Sequence, residues 1–249
     1  MVAPLGLALE SAGELASAAL WRHQAGPFSF DVLAHAALAP GRGKADQLIL
    51  VVEDLLDECH LAYRDLDVIA VNRGPGSFTG VRSAVALARG LALAAKCPVI
   101  GVTSHEVIAL AAGPDVDGRR SLMVAENARR GEVYRQCFDA KLRPLDAIRA
   151  EKPDVAMTVL GEGRWRLVGT GAFMIDEASD EQADAEVIAT GTSDARGVAA
   201  AAARRLAAGE APIPGVQLQP LYIRPPDAAP PTPLVAPASP LTASIKADI

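Results

Sequence analysis

Ser104, His105 and Glu106 follow one another in the chain, and their types are those of a nucleophile, a base and an acid. Catalytic triads assemble in space from separate elements, so three adjacent residues do not form one by themselves. Ser77 also stands in a glycine-rich segment, but it lacks the G-x-S-x-G elbow of serine hydrolases. We therefore predict no catalytic residue of this kind.

Histidine and cysteine spacing offers no metal site. No two of the four histidines are four residues apart, and the three cysteines form no C-x-x-C pair. These residues are His23, His35, His60, His105, Cys59, Cys97 and Cys137. We predict packed or surface histidines, reduced thiols, no metal site and no bound cofactor.

The segment 72–82, Asn-Arg-Gly-Pro-Gly-Ser-Phe-Thr-Gly-Val-Arg, links a predicted strand to a predicted helix. It is neither a Walker A loop, because no Gly-Lys-Ser/Thr follows, nor a dinucleotide G-x-G-x-x-G loop. Two functions remain open for it, namely phosphate contact at a helix N-terminus and a structural elbow that sets the helix angle. The residues of this predicted loop and cap are Gly74, Pro75, Gly76, Ser77, Thr79 and Gly80, with Ser77 or Thr79 as the helix cap.

The helix predicted over 81–95 carries only two charges, Arg82 and Arg89. Ala86, Gly90 and Ala94 are four residues apart and form a ridge of small side chains on one side of it. Such a ridge permits close backbone approach, either inside the monomer or against a partner subunit. The sequence leaves both alternatives open.

The remaining pattern alternates strands and helices, which predicts an α/β architecture. We predict strands at 5–10, 17–21, 66–71, 98–102, 121–126, 132–138, 155–160 and 166–168, and helices at 44–61, 81–95, 104–112 and 197–208. We divide the chain into a first lobe at 1–112, a smaller α/β lobe at 113–215 and a C-terminal segment at 216–249. The two units could be a diverged duplication. The C-terminal segment is proline-rich after 225 and is predicted to be extended or disordered.

The formal net charge of -6 argues against tight binding of nucleic acid by this chain alone, although Arg129, Arg130 and Arg135 cluster in sequence. No signal peptide is visible, and no segment reaches the ~18 apolar residues of a membrane span. We expect a cytoplasmic protein that does not contact a membrane.

The segment 74–82 resembles the signature of the TsaB family, a subunit of the bacterial machinery that installs threonylcarbamoyl on adenosine of tRNA. Weaker matches at 7–11, 127–134 and 221–224 follow in the family's order, so the resemblance spans 5 to about 225. It implies the two-lobed fold of actin, heat-shock ATPases and sugar kinases (the ASKHA fold), with a mixed sheet flanked by helices in each lobe.

The resemblance also implies partners. These are a TsaD-like catalytic paralogue, a TsaE-like ATPase, a possible second copy of the chain, and tRNA only within the complex. ATP and a divalent metal would belong to the partner subunits. The family's subunit interface is built by the helices matching 44–61 and 81–95, which points to Leu48, Val52, Leu55, Val81, Arg82, Val85, Ala86, Arg89, Gly90 and Ala94.

Two departures concern catalysis. Glu10 stands where actin-like ATPases place an aspartate at the end of the first strand, and Asn127 replaces the aspartate of the family's Asp-Ala-Arg segment. Asparagine lacks the charge that would hold a divalent cation. We therefore expect a non-catalytic scaffold or activator subunit. The alternatives are an active ATPase or phosphotransferase of the same fold, and a glycoprotease-like hydrolase.

Overall fold

The structure is a computed structural model that describes residues 4–24, 29–39, 44–161, 163–178, 184–188 and 193–224. The elements of its first part are β1 (Leu5–Glu10), β2 (Ala16–His23), β3 (Phe30–Leu38), α1 (Lys44–Glu58), β4 (Val68–Asn72), α2 (Phe78–Ala95), β5 (Val99–Val102) and α3 (Ser104–Ala112). The first sheet has the order β3-β2-β1-β4-β5, in which β1, β2 and β3 are antiparallel and β1, β4 and β5 are parallel.

The second sheet repeats the first. The elements of this part are β6 (Ser121–Arg129), β7 (Glu132–Phe138), β8 (Arg149–Glu151), α4 (Pro153–Met157), β9 (Arg164–Val168), α5 (Ala172–Asp176), β10 (Asp184–Val187) and α6 (Ala195–Ala207). The sheet order is β10-β9-β6-β7-β8, in which β6, β7 and β8 are antiparallel and β6, β9 and β10 are parallel. The predicted two-lobed α/β fold is confirmed, and the shared topology is what a duplication of one unit would produce.

Alternation along the central strand sorts the core into two layers. Leu5, Leu7 and Leu9 of β1 face α1 and α2, whereas Ala8 faces α6 on the other side of the sheet. Helix α6 thus packs on the first sheet although it follows the second in sequence. The predicted second lobe at 113–215 is corrected accordingly, because its last helix completes the first lobe.

Helix α3 does the reverse, because it follows the first sheet in sequence but packs on the second. Ile108 and Ala109 pack with Leu122, Val124 and other residues of the second sheet, while Val107 packs with the α6 cluster. The two lobes are therefore joined by a pair of helices, and α3 and α6 approach closely where Gly197 has no side chain to meet Val107.

Three local predictions need correction. The segment 155–160 is not a strand, because its first three residues belong to α4, which begins at Pro153 after the N-cap Lys152. Strand β3 was not predicted, and neither were β8, α5 and β10. Helix α1 ends at Glu58 rather than at 61, and His60 beyond it has a positive φ of 54°.

The C-terminal segment returns to the first lobe before the description ends. Ile213 pairs with Val99 in an isolated antiparallel bridge, Leu218 is buried, and the amide of Leu221 donates to the carbonyl of Arg73 at 2.8 Å. The predicted boundary at 216 therefore falls inside a segment that packs on the body of the protein. The predicted disorder after 225 concerns residues that lie outside those described.

Helix α2 is 18 residues long and apolar enough to satisfy the length and composition test for a membrane span. The prediction that no segment of this length and apolarity exists is therefore wrong. The position of α2 argues for a role in the core, since the helix connects the adjacent parallel strands β4 and β5 and buries one face against the sheet.

Candidate functional site

The segment between β4 and α2 is a tight elbow in which the amides of Gly74, Ser77 and Gly80 donate to acceptors within the protein. The Asn72 Oδ1 accepts from the amide of Gly74 at 2.9 Å, and the carbonyl of Ala12 accepts from the amide of Ser77 at 2.8 Å. Gly74 has a φ of +103° and its peptide bond to Pro75 is cis. Three backbone N–H groups that could have bound a phosphate in this loop, those of Gly74, Ser77 and Gly80, therefore already have acceptors within the protein.

The glycines of the elbow permit close packing on the turn after β1. A Cβ at Gly76 would lie 2.5 Å from the carbonyl oxygen of Ala12, and one at Gly80 would collide with the carbonyl oxygen of Ser11. Ser77 is the N-cap of α2, since its Oγ accepts from the amide of Gly80 at 3.3 Å, and Thr79 is an exposed residue of the first turn. This geometry favours the structural elbow over the anion site.

Half of the predicted interface residues lie in the core instead of on the surface. Leu48, Val52, Leu55, Val81 and Val85 are at most 5% exposed and pack between the helices and the first sheet. Their side chains are not available to another subunit in this fold, so the prediction that they contact a partner directly is corrected. They hold α1 and α2 against the sheet.

The other half forms one exposed stripe on α2. Arg82, Ala86, Arg89, Gly90 and Ala94 all face solvent. Nothing lies within 4 Å of a Cβ built at Gly90. The small-residue ridge thus faces outward from its own lobe, which argues against the alternative that it packs inside the monomer.

Large side chains missed by the sequence reasoning flank this ridge. Phe78 is 62% exposed at one end and Leu93 is 82% exposed at the other. The guanidinium of Arg82 lies 3.6 Å from the centre of the Phe78 ring, and its Nε donates to the Tyr222 hydroxyl at 2.7 Å. We call the exposed residues Phe78, Arg82, Ala86, Arg89, Gly90, Leu93, Ala94 and Tyr222 the α2 stripe. The spacing of 78, 82, 86, 90 and 94 was a usable signal, but Tyr222 is distant in sequence.

Glu10 at the end of β1, Asn72 at the end of β4 and Ser104 at the start of α3 are all hydrogen-bonded within the protein. Glu10 is fully buried, its Oε1 accepts from the amide of Ala12 at 2.6 Å, and its Oε2 accepts from Asn72 Nδ2 at 2.7 Å and from Ser193 Oγ at 2.9 Å. Burial raises the pKa of this carboxyl, and the hydrogen bonds to Asn72 and Ser193 offset part of the rise. Glu10 here organises the junction of the strand ends.

Ser104, His105 and Glu106 point to three different partners. The Ser104 hydroxyl lies 2.5 Å from the carbonyl of Pro75, His105 Nε2 lies 3.0 Å from the carbonyl of Tyr134, and Glu106 completes the capping box with Thr103. The three side chains form no triad. Within the described ranges, no group of three or more histidine, cysteine, aspartate or glutamate side chains could hold a metal ion.

Asn127 lies in the irregular end of β6, before a hairpin turn. Its Oδ1 accepts from the amide of Arg129 at 2.8 Å, and its own amide donates to Thr170 Oγ1 at 2.9 Å. Arg129 and Arg130 both have positive φ values in this turn. The asparagine thus shapes a hairpin, a function that an amide side chain performs well.

Comparison with known proteins places the chain in a family. A family model described as TsaD, tRNA N6-adenosine threonylcarbamoyltransferase, matches residues 40–164. The tRNA threonylcarbamoyladenosine biosynthesis protein TsaB of Escherichia coli K12 is 33% identical over 171 residues, which is 66% of this chain and 71% of that protein. The Bacillus subtilis protein of the same name is 43% identical over 39% of this chain and 41% of its own length.

Solved structures agree with the sequence relatives. A crystal structure from Pseudomonas aeruginosa, described as similar to the peptidase YeaZ, superposes with a TM-score of 0.74 at 28% identity and covers 89% of this chain and 100% of that one. A second structure, YeaZ from the same organism, has a TM-score of 0.72 at 28% identity and covers 88% of this chain and 99% of that one. With the glycine-rich elbow and the paired five-stranded sheets, these likenesses show that the chain belongs to the TsaB family.

Proposed function

We propose that the chain is a non-catalytic subunit in tRNA threonylcarbamoyladenosine biosynthesis, and that it docks a TsaD-like catalytic paralogue through the α2 stripe. The observation that carries this proposal is the orientation of α2. One face completes the core, whereas the opposite face presents small and apolar side chains to solvent.

The composition of the stripe suits a docking surface. Arginine and tyrosine are enriched among residues that dominate binding energy, and Arg82 is held in place between Phe78 and Tyr222 before any partner arrives. Preorganisation of this kind reduces the entropy lost on binding. The bare backbone at Gly90 lets a partner helix approach closely.

The state of the chemistry-bearing residues supports the non-catalytic part of the proposal. Glu10 accepts hydrogen bonds from backbone and side-chain donors, and Ser104 and His105 have separate partners. On this proposal ATP and a divalent metal are bound by the partners, a TsaE-like ATPase joins the complex, and tRNA is bound by the assembly. The proposed location is the cytoplasm.

The test uses the full chain and a TsaD-like protein from the same genome. Size-exclusion chromatography with light scattering at micromolar concentration should show a mixed complex, and Leu93→Glu should abolish it. Val116→Glu is the matched control, because Val116 is fully exposed in the other lobe and the substitution is the same kind of change. Two separate peaks for the unmodified proteins, or equal effects of both variants, would refute the proposal. A homodimer lost in Leu93→Glu without any mixed complex would assign the stripe to a second copy of the chain.

The chain alone should hydrolyse neither ATP nor peptide. Turnover that survives purification and is lost in Glu10→Ala would instead favour the ATPase or phosphotransferase alternative.

A further inference from the structure

The two lobes meet at a pair of titratable side chains that nothing in the proposed docking function uses. His105 lies near the start of α3 and is fully buried, and Glu126 lies in β6 of the second sheet. His105 Nδ1 and Glu126 Oε2 are 3.9 Å apart, and both atoms are buried without a hydrogen-bond partner. Two unsatisfied polar atoms facing each other in a protein interior call for an explanation.

Hydrogen-bond chemistry restricts the protonation of the pair. The carbonyl of Tyr134 can only accept, so His105 Nε2 must carry a hydrogen to make the 3.0 Å contact. In a neutral imidazole Nδ1 is then an acceptor. An ionised Glu126 would oppose one acceptor with another, whereas a proton held on either Glu126 or Nδ1 makes the contact favourable.

We propose that His105 and Glu126 share one proton across the junction of the lobes, and that this proton keeps the lobes closed on each other. The distance of 3.9 Å is longer than a direct hydrogen bond and suits a contact completed by a small closing movement of the two side chains. Loss of the proton would leave a negative charge beside an acceptor on a carboxyl whose side chain is only 21% exposed, and separation of the lobes would relieve it.

The surroundings indicate where the proton resides. Burial, and secondarily the charge of Glu10, raises the pKa of the Glu126 carboxyl to about 8, while burial lowers the pKa of His105 to about 4. The charged groups that act on the pair electrostatically are Glu10 at the end of β1, Glu106 on α3 and Asp146 of the second lobe, all acidic. The proton therefore stays mainly on Glu126, since a neutral pair avoids two buried charges.

The junction connects directly to the elbow. Ser104, which precedes His105, donates its amide to the carbonyl of Gly74 at 3.1 Å and its hydroxyl to the carbonyl of Pro75. Opening of the lobes would break the contact of His105 with the carbonyl of Tyr134, so amide exchange at the start of α3 and in β7 would report it.

The sign of the pH effect follows from the raised pKa of Glu126. The stabilisation of the closed state by the Glu126 proton is fully present below the usual carboxyl pKa of 4.5 and is lost by about pH 8. Between these two values opening releases one proton, so the open population rises by up to about tenfold per pH unit; above about pH 8 both states are ionised and the population becomes independent of pH. His105 acts in the opposite direction only between pH 6.5 and about pH 4, so the change in the open population above pH 6.5 is due to Glu126.

The experiment is hydrogen–deuterium exchange of the full chain from pH 6.5 to 9.5, corrected for intrinsic exchange, together with carboxyl-carbon NMR of Glu126. We expect protection at the start of α3 and in β7 to fall between pH 6.5 and about 8 and to level off above about pH 8. It should be independent of pH in Glu126→Gln, whose amide donates at any pH. Glu58→Gln, an exposed change at the end of α1, should behave like the unmodified chain.

Two outcomes overturn the proposal. One is a titration of Glu126 near 4.5 in the folded chain, which can be measured even if the variant folds poorly. The other is a loss of protection in Glu126→Gln that parallels the unmodified protein as the pH rises.

Discussion

Replacing each of two glycines on α2 by alanine should change stability in opposite directions. Gly90 lies mid-helix with no atom within 4 Å of the added methyl group, so Gly90→Ala gains the ordinary helix preference of alanine, about 0.5–1 kcal/mol. Gly80 lies in the first turn, where the same methyl group would collide with the carbonyl of Ser11. Displacement of that backbone should cost about 1–3 kcal/mol.

These energies convert to a measurable shift in melting temperature. For a chain of this size 1 kcal/mol corresponds to about 2–4 °C. Gly90→Ala should therefore melt about 1–4 °C higher and Gly80→Ala about 2–12 °C lower, by circular dichroism at two protein concentrations. Ala86→Gly, on the same exposed stripe, is the reverse control and should lower the melting temperature by about as much as Gly90→Ala raises it. A lower melting temperature for Gly90→Ala at both concentrations would show that the ridge packs inside the chain and would refute the outward orientation.

Three further predictions concern stability and docking. Asp194→Ala should lower the free energy of unfolding by about 1 kcal/mol in chemical denaturation, because Asp194 caps α6 through the amides of Arg196 and Gly197; an unchanged midpoint would contradict the cap. Arg135→Leu should cost about 3–5 kcal/mol, since it leaves the carboxylates that this buried guanidinium binds without their partner, and a loss below 1 kcal/mol would contradict that role. Phe78→Ala should leave the melting temperature within about 2 °C while weakening partner binding about tenfold in calorimetry, because the ring is exposed but supports Arg82; unchanged affinity would exclude it from the interface.

Much of the fold was predictable because the pattern of apolar residues is strong where elements are half-buried. Helix α3 and strand β7 were predicted with the bounds that the structure has. Strand β3 was not, because it is an edge strand with little burial and therefore no sharp apolar alternation. The run of apolar residues at 155–160 imitates a strand, but its first half belongs to a short helix, and Val155 and Val159 are exposed.

The candidate site was predictable only in part, for a physical reason. An apolar helix shows no preferred face in its sequence, so the assignment of Val81 and Val85 to the core and of Ala86 and Gly90 to the surface needed the sheet beside α2. The pairing of His105 with Glu126 joins residues from the two lobes, and no local spacing signals it. The elbow was predictable because close backbone approach requires glycine at Gly76 and Gly80.

The most direct test of the central claim is the affinity of the full chain for its TsaD-like partner, measured by calorimetry for the unmodified chain, Leu93→Glu and Val116→Glu. The account predicts one binding transition that is lost in Leu93→Glu, is retained in Val116→Glu, and is accompanied by equal melting temperatures for all three proteins. Full affinity in Leu93→Glu at an unchanged melting temperature would contradict docking through the α2 stripe.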